Sequence, residues 1–245
     1  MKKLFYALFL IMIATACSSE QEPSQTRTVN TERNPQLLYE EYTTDIQIQF
    51  AKNWIEINKN DDNGEKNETS YPETMTGYEY IKRLCAISEN DLTVISDRIK
   101  ANFNQDSFDQ KYAFQLEKLI SETSESDVEA LFSFTEVYLD KGGNSQSLLT
   151  TYTNNRPIII QNMMIYMAAY IDQINIPETR SVSGGARYCL DILIHDMASD
   201  AIKDLIAGTI LGLAGPLGEI VDTGAGFIGT LNDALKFNRC MATHA

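Results

Sequence analysis

Histidine is almost missing from this chain: only His195 and His244 occur. There is no HExxH, no paired metal-ligand spacing and no nucleophile elbow. His195 lies beside Asp196 in an amphipathic stretch, where a structural role is the ordinary one. The chain is therefore expected to be no enzyme, with no catalytic residue, no metal and no cofactor. Basic charge is also scarce, with 20 Lys and Arg against 34 Asp and Glu, a net charge of -14. Such a chain is repelled by nucleic acid and by anionic lipid headgroups, which excludes nucleic acid as a partner. Finally, no apolar run reaches the roughly 20 uninterrupted residues of a permanent membrane span.

What is present begins at the first residue. Lys2 and Lys3 precede an apolar run from Leu4 to Ile13, then Ala14, Thr15, Ala16 and Cys17. Charged, apolar and small-residue regions in this order make a secretory signal, expected over residues 1–16. The cysteine at the cleavage position resembles the lipobox of bacterial lipoproteins, although Ala14 stands where Leu is usual. That resemblance implies lipid attachment through the Cys17 sulfur. Ser18-Ser19-Glu20-Gln21-Glu22 resembles the surface-export tract of Bacteroidota lipoproteins. Residues 17–35 are polar apart from Val29 and are read as a flexible tether.

Residues 36–175 carry helix signals. Ser88 with Asp91 opens Leu92, Ile95, Ile99 and Phe103. Ser107 precedes Phe108, Tyr112, Leu116, Leu119 and Ile120 on one face. Ser126 with Glu129 makes a capping-box arrangement, and Gly142-Gly143 a stop. A helix from Pro157 to Ile174 would align Ile159, Met163, Met167, Tyr170 and Ile174. Ile46, Ile48 and Phe50 alternate as in a strand, but Trp54 and its neighbours favour a helix from about Leu37. Asp61 to Glu73 reads as a loop. The expected fold class is all-α, a helical bundle.

Residues 176–185 break the pattern. Pro177 and the Gly184-Gly185 pair stop helices, the middle is small and polar, and Arg180 is the one basic residue. Such a segment is expected to be exposed and open to proteases, with Arg180 as the cleavage position; a plain linker is the competing reading.

Residues 186–245 differ in composition. From Leu205 to Leu231 there is no Lys or Arg, and the only charges are Glu219 and Asp222. Gly208, Gly212, Gly218, Gly224, Gly226 and Gly229 crowd the segment. Each glycine within a helix costs about 1 kcal/mol relative to alanine, which surface helices rarely tolerate so often. Close packing in lipid does tolerate them. Gly208 and Gly212 form a GxxxG pair, a pattern found in soluble cores too. Pro216 and Gly218 divide the segment, so Leu205 to Ala214 and Ile220 to Leu231 are read as arms of an apolar helical hairpin. Each arm would be roughly 18 Å long, short of the ~30 Å hydrocarbon core. This suits a segment that is soluble in one state and inserts in another. Gly224, Gly226 and Gly229 also spell GxGxxG, but too little chain follows for a dinucleotide fold.

Beyond Cys17 three cysteines remain, Cys85, Cys189 and Cys240, so at most one bridge forms and three pairings are open. Cys189 and Cys240 flank the hairpin, whose antiparallel arms would bring them together. That pairing is favoured.

The hairpin layout resembles that of pore-forming colicins, though only about 65 residues follow Arg180. The lipobox, acidic tract, Arg-containing linker and Gly/Ala-rich end together resemble the proteolytically activated lipoprotein bacteriocins of Bacteroidales. That resemblance implies an antibacterial toxin, lipid-anchored at the outer membrane or cell surface. An arginine-specific protease would cut it, and the secreted fragment would insert into the membrane lipid of related cells. A receptor on the target cell and an oligomer upon insertion belong to the same expectation. The alternative is a non-toxic surface lipoprotein that binds a ligand, an envelope component or an immunity partner.

Overall fold

The computed structural model describes residues 34–59, 72–175, 184–208 and 225–244. They form nine helices, and no strand occurs among the described residues. The helices are α1 (Pro35–Ile57), α2 (Gly77–Cys85), α3 (Glu89–Lys100), α4 (Gln105–Glu122), α5 (Glu125–Asp140), α6 (Gln146–Thr153), α7 (Ile158–Ile174), α8 (Gly185–Gly208) and α9 (Ala225–His244). The all-α expectation holds.

The starts of these helices follow from short polar side chains that satisfy free N–H groups. Asn34 Oδ1 accepts from the Gln36 N–H at 2.9 Å, with Pro35 opening α1. Ser88 caps α3 as expected, and Asp91 accepts in return from the Ser88 hydroxyl at 2.7 Å. Two caps lie earlier than the sequence suggested. Asn104, not Ser107, caps α4. Ser124, not Ser126, caps α5, because Asp127 at its third position reciprocates at 2.6 Å.

Helix α7 is the central element, packed by α1, α2, α5, α6 and α8. The sequence suggested a single apolar stripe on it. Instead Met163 through Ile171 are buried without interruption, because neighbours cover every side. Across from it, α1 turns Ile46 and Phe50 inward at helical spacing, which settles the strand-like alternation there in favour of helix. Tyr42 meets Tyr166 edge-on at 5.5 Å, and Phe50 meets Tyr170 at 5.8 Å.

One buried carboxylate ties three parts of the bundle together. Asp172 on α7 accepts from the Tyr39 hydroxyl of α1 (2.7 Å), the Tyr138 hydroxyl of α5 (2.9 Å) and the Asn144 N–H (2.7 Å). The turn after α5 can approach because Gly143 adopts φ +70°, and a Cβ there would meet Asp172 Oδ1 at 2.2 Å.

Helices α8 and α9 pack most extensively on each other. Helix α8 also contacts α4, α5 and α7, and α9 contacts α2 and α3. Leu190, Leu193, Met197, Ile202 and Leu205 of α8, with Phe227, Leu231 and Ala234 of α9, belong to the same apolar core as α1 and α7. The described helices form one compact unit.

Candidate functional site

The paired helices at the C-terminal end carry Cys189, Leu205, Gly208, Gly226, Gly229 and Cys240 of the residues that the sequence points to. Cys189, one turn into α8, is bonded to Cys240, near the end of α9, with a Cα–Cα distance of 5.6 Å. At this end Gly185 lies against the His244 carbonyl, and Tyr188 packs edge-on against the His244 ring at 5.6 Å. The start of α8 and the end of α9 are thus fastened to each other. Cys85 is free, and burial pushes its thiol up to about 12.

Only the outer parts of the two arms read from composition fall among the described residues. That reading placed them at 205–214 and 220–231. The observed pair runs from Gly185 to Gly208 and from Ala225 to His244. Leu205 and Gly208 are buried at the end of α8. Gly226 and Gly229 lie on α9. Gly212, Pro216, Gly218, Gly224, Arg180 and Cys17 lie outside the described residues.

The α8–α9 seam is polar, which the sequence reading missed. Asp196, Asp200 and Asp204 recur every four residues and so share one face of α8. Two of them occupy space that glycine leaves open on α9. A Cβ on Gly226 would meet Asp204 Oδ2 at 1.6 Å, and one on Gly229 would meet Asp200 Oδ2 at 2.0 Å. Two glycines of the GxGxxG pattern therefore face carboxylates, a setting hostile to phosphate. From α9, Asp233 is buried, and Lys236 bridges Asp196 (2.7 Å) and Asp233 (3.0 Å). The signal was available as the four-residue spacing of aspartates just before the apolar segment.

Between α1, α7, α8 and α9 lies a cavity of about 70 Å³, lined in part by Gln49, Asn53, Tyr166, Asp204 and Thr230. Burial raises the Tyr166 hydroxyl far above its ordinary value, and the Asp204 charge adds to this. His195 of α8 stands 3.7 Å from Asp140 of α5, and both side chains are exposed. Among the described residues no group of three or more His, Cys, Asp or Glu is placed to hold a metal ion. No described helix is long and apolar enough to cross a membrane.

Comparison with known protein families, with characterised proteins and with solved structures finds no match for this chain.

Proposed function

We propose that this chain is a lipid-anchored antibacterial protein that stores a membrane-active helix pair, and that a protease cut within residues 176–185 lets a bilayer draw this pair out of the bundle. Arg180 is the cleavage position and an arginine-specific protease the activating partner. Cys17 carries the anchor at the outer membrane or cell surface. The observation that carries this reading is the position of the disulfide. Cys189 and Cys240 both follow the linker, and Cys85 is free, so a cut there leaves no covalent bond between the two parts. A bridge to Cys85 would have kept them joined.

Storage also has a physical rationale. In the folded chain α8 buries Leu190, Leu193, Ile194, Met197, Ile202, Leu205 and Ile206. Once separated, the pair would expose this apolar surface, and a bilayer is one place to bury it again. The folded helices are the stored state. Helix α8 carries Asp191, Asp196, Asp200 and Asp204, so membrane damage requires these carboxylates to be neutralised or kept at the interface.

The shared core favours a second reading, in which α8 and α9 simply complete the bundle of a non-toxic surface lipoprotein that binds a ligand, an envelope component or an immunity partner. Liposomes loaded with dye separate the two. The full chain, cut by an arginine-specific protease, should release dye, whereas the uncut chain and a cut-resistant Arg180→Ala variant should not. A cut chain that leaves liposomes intact and sensitive cells growing removes the toxin reading in favour of the second.

A further inference from the structure

Among the described residues, the seam between α8 and α9 gathers carboxylates from both helices. Asp196, Asp200 and Asp204 line it from α8 and Asp233 from α9. Lys236 is shared by Asp196 and Asp233, and Lys203 is held by Asp200 at 3.1 Å. Asp233 is the most enclosed, at 3% exposure. Its Oδ1 accepts from Lys236, while its Oδ2 is buried without a hydrogen-bond partner. A carboxylate oxygen enclosed without a donor is costly, whereas the same oxygen carrying a proton is not, and it has a hydrogen to give.

We propose that this seam is a proton-sensitive latch, in which one proton on the Asp233 carboxyl closes α9 against the aspartate row of α8, and loss of that proton loosens the pair.

The neighbours leave Asp233 little other compensation. From its own helix it has Lys236; from α8 it faces Asp196 and Asp200. Helix α3 directs Lys100 to Asn232 and Glu89 to Arg239. Helix α2 places Lys82 over the Tyr78 ring, and Arg83 pairs with Glu79 and stacks over Trp54. Burial pushes the Asp233 carboxyl up to about 7, the Asp200 and Asp196 charges add to this, and Lys236 acts against it. The ordinary value of 3.8 applies to the unfolded chain. The folded state therefore binds the proton more tightly than the unfolded state. This contribution to stability is complete below about pH 4 and is lost as pH rises towards about 7. Acid closes this latch and mild alkali loosens it.

The test is an NMR titration of the Asp carboxyl carbons in the full chain, with the Asp233 signal assigned by its loss in Asp233→Asn. A midpoint near 7 is expected for Asp233, moving down in Asp200→Asn, where one repelling charge is gone. Thermal melting should show a midpoint that falls from pH 5 to pH 8 in the natural chain, with a shallower fall in Asp233→Asn. An Asp233 midpoint below 5, or the same melting slope in Asp233→Asn, overturns the proposal. Should Asp233→Asn fail to fold, the Asp200→Asn shift identifies the signal and decides the matter alone.

Discussion

Cys189 and Cys240 are bonded across 51 positions, and the whole loop they close lies C-terminal to residue 183. Loops of this length gain about 4 kcal/mol in the chain-entropy account of disulfide stabilisation. Cys240→Ser should therefore lower unfolding free energy by a few kcal/mol, read by urea denaturation. After a cut at Arg180, non-reducing denaturing electrophoresis should show two separate fragments. Fragments that need reductant to separate would place Cys85 in the bridge instead. Cys85 itself, with its thiol pushed up to about 12, should resist alkylation at pH 8 until the chain is unfolded.

Gly77 opens α2 directly against α7, where a Cβ would meet the Gln173 carbonyl oxygen at 2.1 Å. That oxygen belongs to backbone near the end of a buried helix and cannot rotate away. Gly77→Ala should thus destabilise by about 1–3 kcal/mol, the usual range for overpacking, despite alanine's better helix propensity. A variant as stable as the natural chain in urea would show that α2 can shift.

The all-α class, the placement of most helices and the disulfide were legible in the sequence. The reason is that periodic apolar residues and short polar caps act locally. The exact cap was legible only where one candidate stood alone, as at Ser88. Where two polar residues compete, as Ser124 and Ser126 do, the bond that the Ser124 hydroxyl donates to the Asp127 carboxylate decides, and that appears only in three dimensions. The carboxylate seam was not legible from composition. Charge scarcity in 205–231 marks only the apolar stretch, while Asp200, Asp204 and Asp233 just outside it are folded back over Gly229, Gly226 and Lys236.

Asp172 collects three donors from separate elements. Asp172→Ala strands the Tyr39 and Tyr138 hydroxyls and the Asn144 N–H at once. Hydrogen bonds to a charged group contribute about 1.5–3 kcal/mol each and are not additive, so a loss of about 3 kcal/mol or more is expected. A loss under 1 kcal/mol in equilibrium unfolding would mean that this cluster is not a tie point of the bundle.

In solution, with no bilayer present, cleavage by itself should not separate the two parts. Among the described residues, α9 makes polar contacts with the part before the linker through Lys100 to Asn232 (2.8 Å), Asn238 to the Ile87 carbonyl (2.9 Å) and Arg239 to Glu89 (2.7 Å). Two of these involve exposed cations, and an exposed ion pair contributes roughly 0–1 kcal/mol. Leu231, by contrast, is fully buried in the common core. Truncating a buried leucine to alanine costs about 2–5 kcal/mol. The cut chain should therefore elute as one species in size-exclusion chromatography and divide only in denaturant. Arg239→Ala should leave that behaviour unchanged, whereas Leu231→Ala should speed separation of the cut chain by tenfold or more, since about 1.4 kcal/mol corresponds to a factor of ten. If Arg239→Ala alone releases the fragment, the rim holds the stored helices; if neither variant does, the grip is spread across contacts that single substitutions do not reach.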